Sequence, residues 1–365
     1  MKIADRLIDI HHPPYVIAEI GASHLGNMKL AEDTIIAAAD CGASAIKIQC
    51  YEADEMAFNG DLLVEDGPWA GQRLYDLYKE AETPYKMVKE IFKFARKNRI
   101  TLFASIFSPK GADLVAELGA PAIKIASFEL TDTPLIEYAA SKALPMIIST
   151  GMGSGPEIIA AIHAYNKGSV GGIGRNLALL HCISSYPASP GDVNLPMLGT
   201  ISELVGGRHV VGFSDHTMGV GTAVAAVAFG ASIIEKHFIL DRSLGGPDAS
   251  FSMEPADFAR LTVACREAWQ AIQPRKGSPL RPAMASYRRS LQAVCPIRAG
   301  EAISQANCRI LRGGCGVAPS FYPLALEGFA RQDIPQGAPI LSEMVSSLHQ
   351  SQACNPGQPL SDKEF

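Results

Sequence analysis

Two lysines stand inside apolar, strand-like runs, where a charge costs free energy unless it meets an anion. Lys47 lies in Ala45-Ile46-Lys47-Ile48-Gln49 and Lys124 in Ala122-Ile123-Lys124-Ile125-Ala126-Ser127. Ser105, Ser127, Ser149 and Ser214 fall at the ends of similar runs. Ammonium groups accompanied by hydroxyls describe a pocket for a phosphate or a carboxylate. Two other readings use the same lysines: a Schiff base with a carbonyl substrate, or an ion pair with Glu19 or Glu129.

Two histidines bring different chemistry. His216 lies in Ser214-Asp215-His216-Thr217 and His237 in Glu235-Lys236-His237-Phe238, each closing an apolar run. One imidazole at a strand end is as readily structural as catalytic, but two on neighbouring strands could share a divalent ion. Their spacing of 21 residues is unlike the His-Glu-x-x-His of a helical zinc site. Two strong ligands leave positions open for water and substrate, which suits Mg2+ or Mn2+.

The elements that must position these groups repeat eight times. Apolar runs occur at residues 15–21, 45–51, 101–107, 122–127, 145–151, 177–184, 209–216 and 232–240. Helix-patterned segments follow nearly all of them, the alternation that a parallel α/β protein requires. The expected fold is a (β/α)8 TIM barrel, whose active site is built at the C-terminal ends of the strands. Those ends carry Glu19, Lys47, Gln49, Ser105, Lys124, Ser127, Glu129, Ser149, Tyr186, Ser214, His216 and His237.

The pattern changes after a last periodic helix over residues 255–272. Residues 273–286 hold three prolines and no periodicity, as a linker would. The expected divisions are a barrel domain at 1–275, a linker at 276–289, a small β-rich domain at 290–350 and a flexible tail at 351–365. In the small domain, residues 296–303 and 333–340 repeat one pattern, a short strand turning at glycine. A domain of about 60 residues is marginal alone and needs another surface to pack on.

Composition excludes more than it identifies. Charged residues make up 19% and the net charge is −5, which argues against a nucleic-acid partner or a polybasic membrane surface. No apolar stretch reaches the roughly 18 residues of a membrane span, and the N-terminus lacks the apolar core of a signal peptide. Cys41, Cys50, Cys182 and Cys265 lie in apolar contexts that suit reduced, buried thiols. The expected location is the cytoplasm.

Taken in order, seven motifs resemble the sialic acid synthase family: Ala18-Glu19-Ile20-Gly21, Lys47-Ile48-Gln49, Lys124-Ile125-Ala126-Ser127-Phe128-Glu129, Ser149-Thr150-Gly151-Met152, Tyr186-Pro187, Ser214-Asp215-His216-Thr217 and Glu235-Lys236-His237-Phe238. Tyr75-Asp76-Leu77-Tyr78-Lys79-Glu80 with Thr83-Pro84 is similar to its pseudaminate branch. So is Gly245-Gly246-Pro247-Asp248-Ala249-Ser250-Phe251-Ser252-Met253-Glu254-Pro255. Arg288-Arg289-Ser290-Leu291, Arg298-Ala299-Gly300-Glu301 and Leu311-Arg312-Gly313-Gly314-Cys315-Gly316 resemble the family's antifreeze-like (SAF) domain.

That resemblance covers almost the whole chain and implies a transferase that condenses phosphoenolpyruvate with an amino-sugar and releases phosphate. It implies that Lys47, Gln49, Ser105, Lys124, Ser127, Ser149 and Ser214 hold phosphoenolpyruvate, and that His216 and His237 ligate Mn2+ or Mg2+. Glu19 and Glu129 would be the acid–base groups, and Glu19, Tyr186 and Asp248 would face the sugar. Arg312 would reach in from the SAF domain of a partner in a domain-swapped homodimer. N-acetylmannosamine and the legionaminic acid precursor are sibling substrates, and a Schiff-base lyase acting through Lys124 is a distant alternative. Two positions depart from the family pattern. Ser23 stands where an Asn is usual, and Arg312-Gly313-Gly314 lacks a proline.

Overall fold

Valine, isoleucine and alanine dominate the eight runs, and β-branched side chains suit a pleated backbone packed on both faces. The computed structural model describes residues 1–170, 176–273 and 287–348. A short hairpin, β1 (Lys2–Ile3) and β2 (Arg6–Leu7), precedes the first run. The runs themselves form β3 (Tyr15–Glu19), β4 (Ala45–Cys50), β5 (Leu102–Ile106), β6 (Ile123–Ile125), β7 (Met146–Ser149), β8 (Leu177–Cys182), β9 (Val210–Asp215) and β10 (Ile233–His237). All eight are parallel and close into one barrel, with β10 paired to β3. The (β/α)8 expectation is met.

Between the strands run α1 (Met28–Asp40), α2 (Leu74–Ala81), α3 (Tyr85–Lys97), α4 (Pro109–Glu117), α5 (Thr133–Ala140), α6 (Gly155–Gly168), α7 (Met197–Leu204) and α8 (Gly221–Ala228). The last, α9 (Pro255–Ile272), follows β10. Several begin where a short polar side chain satisfies the free N–H groups of the first turn. Asn27 caps α1, accepting from Lys29 N at 2.9 Å, and Asp132 caps α5, accepting from Leu135 N at 3.0 Å. Ser154 and Glu157 form a reciprocal capping box on α6.

Period-two alternation sorts the strand residues into two environments. Outward positions such as Ile46, Ile48, Ile123, Ile125, Met146 and Ile148 join the helices in the large core. Inward positions are apolar at the N-terminal end of the barrel, where Ile3 and Ile8 from the N-terminal segment pack against Ile17, Phe103, Ile147 and Ile233. One inward step later they turn polar: Ile17 is followed by Glu19, Ala45 by Lys47, Phe103 by Ser105, Ala122 by Lys124, Ile147 by Ser149 and Ile233 by Glu235. A dry floor therefore lies directly beneath a charged layer. Although the apolar run spans residues 122–127, the strand stops at Ile125 and the chain turns into a 3-10 helix at Ser127–Glu129. That turn takes Ser127 and Glu129 out of the ladder.

The chain divides into two units, Met1–Gln273 and Pro274–Phe365. In the second, β11 (Arg289–Ala293) pairs antiparallel with β12 (Cys308–Arg312), over a core of Leu291, Ile297, Ile303, Ile334, Ile340 and Val345. The repeated glycine turns appear at Gly300 and Gly337, with φ of 83° and 79°. Only glycine enters that left-handed region without strain. The small antiparallel sheet is compatible with an SAF-like domain. The expected tail, His349, and all of the expected linker except residues 287–289 lie outside the described residues. Among the described residues no helix is long and apolar enough to cross a membrane.

Candidate active site

The charged layer centres on a residue that spacing alone did not single out. Glu235, on β10, is buried, and its Oε1 meets three donors: Lys124 Nζ at 3.2 Å, Lys47 Nζ at 3.3 Å and Ser214 Oγ at 3.1 Å. Lys47 Nζ also contacts Glu19 Oε2 at 2.9 Å and donates to Ser105 Oγ at 2.9 Å. Gln49 Nε2 and Gly21 N both donate to Glu19 Oε1, at 3.2 and 3.1 Å. Glu19, Lys47, Gln49, Ser105, Lys124, Ser214 and Glu235 thus form one connected network inside the barrel mouth. The ion-pair reading of Lys47 is realised with Glu19, and Glu235 is the second counter-ion. The signal that marks Glu235 is parity: it sits two positions before His237, so both point into the barrel.

Burial acts differently on the two carboxyls. Desolvation would raise Glu235, but Lys124 and Lys47 outweigh it and hold the group at about 2. Glu19 is raised above its ordinary value by burial and by the Glu235 charge, against the pull of Lys47. Burial lowers Lys47, but Glu19 and Glu235 together push it above its ordinary value. Lys124 is lowered, because burial exceeds what Glu235 alone restores. Glu129 stands beyond β6, pushed up to about 7 by burial, and its Oε2 finds no hydrogen-bond partner among the described residues.

The hydroxyls divide into two groups. Ser105 and Ser214 belong to the network above. Ser127 Oγ lies 2.9 Å from Ser184 Oγ, a partner not anticipated from the sequence. The Ser149 hydroxyl is buried with no partner among the described residues. Gly151 closes this corner, since a Cβ there would lie 2.4 Å from Ser184 Oγ and 2.7 Å from Cys182 Sγ. A buried polar atom without a partner costs about 1–3 kcal/mol, and the Ser149 hydroxyl is free to donate.

Above the charges sit the histidines, with ring centres 5.8 Å apart. His216 Nδ1 lies 2.7 Å from the Ile183 carbonyl. A carbonyl only accepts, so Nδ1 carries the proton and Nε2 keeps its lone pair. Burial lowers His216 to about 4 and His237 well below its ordinary value, so both rings are neutral near pH 7. His237 Nδ1 is buried, without a hydrogen-bond partner among the described residues, and lies 3.7 Å from Asp248 Oδ2. Two neutral imidazoles with lone pairs to offer fit a divalent ion whose other positions are filled by water and substrate. Asp248, raised to about 6 by burial, also accepts from Ala22 N at 2.9 Å. That approach needs Gly21, where a Cβ would lie 2.1 Å from Asp248 Oδ2.

Aromatic rings close the mouth. Tyr186 lies 4.3 Å from the His216 ring, with Phe251 at 5.1 Å and Trp69 at 5.6 Å from Tyr186, centre to centre. Trp69 Nε1 donates to the Pro247 carbonyl at 2.8 Å. Beside it opens a cavity of about 490 Å3 lined by Trp69, Gln72, Glu80, Arg242, Pro247 and Ser250. Ser23, in the position where Asn is usual, is buried and donates to the Phe238 carbonyl at 3.0 Å. It ties the first loop to the end of β10. Arg312 is exposed at the end of β12 in the second unit.

Comparison with known proteins agrees with this geometry. A model described as the NeuB family matches residues 34–276. Pseudaminic acid synthase from Helicobacter pylori is 33% identical over 339 residues, spanning 91% of this chain and 98% of that protein. N,N'-diacetyllegionaminic acid synthase from Legionella pneumophila is 32% identical over 346 residues, spanning 91% and 95%. The crystal structure of N-acetylneuraminic acid (sialic acid) synthetase from Leptospira borgpetersenii in complex with citrate is 32% identical, with a TM-score of 0.68 over 78% of this chain and 93% of that one. Matched across most of its barrel by the family model and along nearly the full length of these relatives, the chain belongs to the NeuB family, the sialic acid synthases, and is an enzyme of that transferase class.

Proposed function

We propose that this enzyme is a pseudaminic acid synthase. It condenses phosphoenolpyruvate, 2,4-diacetamido-2,4,6-trideoxy-altrose and water into pseudaminic acid and phosphate. The observation that carries the chemistry is the convergence of two buried lysines, two neutral imidazoles and two oppositely shifted carboxyls at one barrel mouth. The sugar is taken from the 33% identity to the Helicobacter pylori enzyme, held over 98% of that protein. A second reading, legionaminic acid synthase, has similar support at 32% identity and uses the same chemistry on another sugar.

Phosphoenolpyruvate carries about three negative charges near neutral pH, and Lys47 and Lys124 offset them in a poorly screened interior. Ser105, Ser127 and Ser149 donate to its phosphate and carboxylate, Ser214, whose hydroxyl donates to Glu235, lines the same pocket, and Gln49 orients the same end. Its third carbon forms a bond to the sugar's aldehyde carbon. Water adds at its second carbon, and the hydroxyl so formed closes to a carbonyl as the bond from that carbon to the phosphate oxygen breaks, phosphate leaving with the electron pair and taking up the hydroxyl proton. His216 and His237 would hold Mn2+ or Mg2+, which supplies Lewis-acid polarisation of the aldehyde oxygen. Glu19 takes the proton of the attacking water, and Glu129 supplies one to the new alkoxide. Their raised values bring them nearer the working pH than an ordinary carboxyl. Glu235 stays ionised and favours the charged form of both lysines. Tyr186 and Asp248 contact the sugar. Arg312 completes the pocket of a partner subunit in a domain-swapped homodimer.

The test is phosphate release from phosphoenolpyruvate with the altrose sugar, the legionaminic acid precursor or N-acetylmannosamine, each with Mn2+ and with EDTA. Release with the altrose sugar alone, abolished by EDTA, is the expected outcome. Release with another sugar alone moves the assignment to that branch, and adduct trapping by borohydride would replace the whole scheme with Schiff-base chemistry.

A further inference from the structure

Strand positions that face away from the barrel axis are apolar nearly throughout because they meet helices. Val211 and Phe213 on β9 and Ile234 on β10 are examples. Asp215 and Lys236 break this rule. They are partners across the β9–β10 ladder and each is 1% exposed. Lys236 Nζ donates to Asp215 Oδ2 at 2.7 Å and to the Thr217 carbonyl at 2.6 Å. Asp215 Oδ1 accepts from Thr217 N at 2.9 Å and Thr217 Oγ1 at 2.8 Å. Thr222 Oγ1, on α8, donates to Asp215 Oδ2 at 2.9 Å.

A buried pair of this kind is on average no more stabilising than apolar side chains of the same volume. Its place in an otherwise apolar seam therefore asks for a reason other than stability. The pair grips the chain on both sides of His216, through Asp215 and Thr217, and directly before His237, through Lys236. The His216 carbonyl in turn accepts from Ala188 N at 2.9 Å, which ties down the segment that carries Tyr186. One ion pair thus links the neighbours of both imidazoles and of the Tyr186 ring, which lies tilted against His216 and edge-on to His237.

We propose that the Lys236–Asp215 pair is a positioning device that fixes the separation and facing of His216 and His237, so that a divalent cation meets a preset pair of nitrogens. Neither residue touches substrate or ion. The inference rests on the divalent-ion reading of the two histidines. Groups that orient ligands from behind change metal affinity by about 10–100-fold when lost.

The double variant Lys236→Met/Asp215→Asn removes both charges and keeps an acceptor for Thr217, avoiding the lone buried charge that either single change leaves. Three measurements on the full-length protein separate the outcomes: Mn2+ titration followed by EPR, the visible spectrum of bound Co2+, and urea unfolding. The double variant is expected to unfold near the wild-type midpoint, to bind Mn2+ about 10–100-fold more weakly and to alter the Co2+ spectrum. If it does not fold, Asp215→Glu, which keeps the charge but displaces the carboxylate, is expected to show the same two metal effects. A folded variant with wild-type Mn2+ affinity and Co2+ spectrum overturns the proposal while leaving the ion reading intact. Failure of both variants to fold makes the pair a folding requirement and also overturns it. Wild-type protein that binds no Mn2+ overturns the ion reading and the positioning role together.

Discussion

Lys47 lies between two carboxyls that the protein drives apart, Glu235 down to about 2 and Glu19 upward. A carboxyl whose folded value is depressed contributes stability in full above its unfolded value, and loses it as pH falls through the folded one. The urea-unfolding advantage of wild type over Glu235→Gln is therefore expected to be constant above about pH 5 and to disappear between about pH 4 and pH 2. Near neutral pH it should approach the roughly 3–5 kcal/mol lost when one partner of a buried pair is removed. Glu129 makes a different expectation. Held at about 7, it should set one limb of the kcat/KM profile, and Glu129→Gln should lose the limb near pH 7 without moving the others. The lysines were legible in the sequence because a charge inside an isoleucine run needs an explanation. Glu235 was not, because beside Lys236 and His237 it reads as one polar cluster. Only the period of two separates the inward Glu235 and His237 from the outward Lys236.

The eight strands were legible because each is a continuous apolar run between turn-forming residues, a pattern that survives without any tertiary information. The hairpin β1–β2 was not, since strands of two residues carry no periodicity. Its contribution is to bring Ile3 and Ile8, 0% and 2% exposed, onto the floor of the barrel. Arg6 fixes the strap by donating to the Pro13 and Pro14 carbonyls, both at 2.9 Å, and to Ser44 Oγ at 2.6 Å. Ile3→Ala is expected to lower unfolding stability by about 2–5 kcal/mol. Because the charged layer lies at the other end of the strands, kcat per folded molecule should stay unchanged, and a matched fall in kcat would contradict the floor's purely structural role.

Across the whole molecule, the chain holds two separately cored units with catalytic candidates in both: the barrel residues in one and Arg312 in the other. The proposed domain-swapped homodimer makes this division testable. Glu19→Gln and Arg312→Ala should each be nearly inactive, yet mixing the two after gentle dissociation should restore activity. In a mixed dimer, one site receives an intact barrel and an intact arginine. No recovery on mixing would require the arginine to act within its own subunit. Prolines and lost periodicity in the sequence point to a boundary near residue 275, but they carry no information on which barrel the second unit would serve.

The chain has two tryptophans, and their places make the enzyme self-reporting. Trp69 stands at the mouth beside Tyr186, while Trp269, on α9, donates to the Ile10 carbonyl at 3.1 Å on the N-terminal segment. Trp269→Phe would leave a single emitter whose wavelength and intensity follow the water content of the mouth. Substrate entry should then be visible as a blue shift in stopped flow, without a label, and the order in which the two substrates bind becomes an optical measurement.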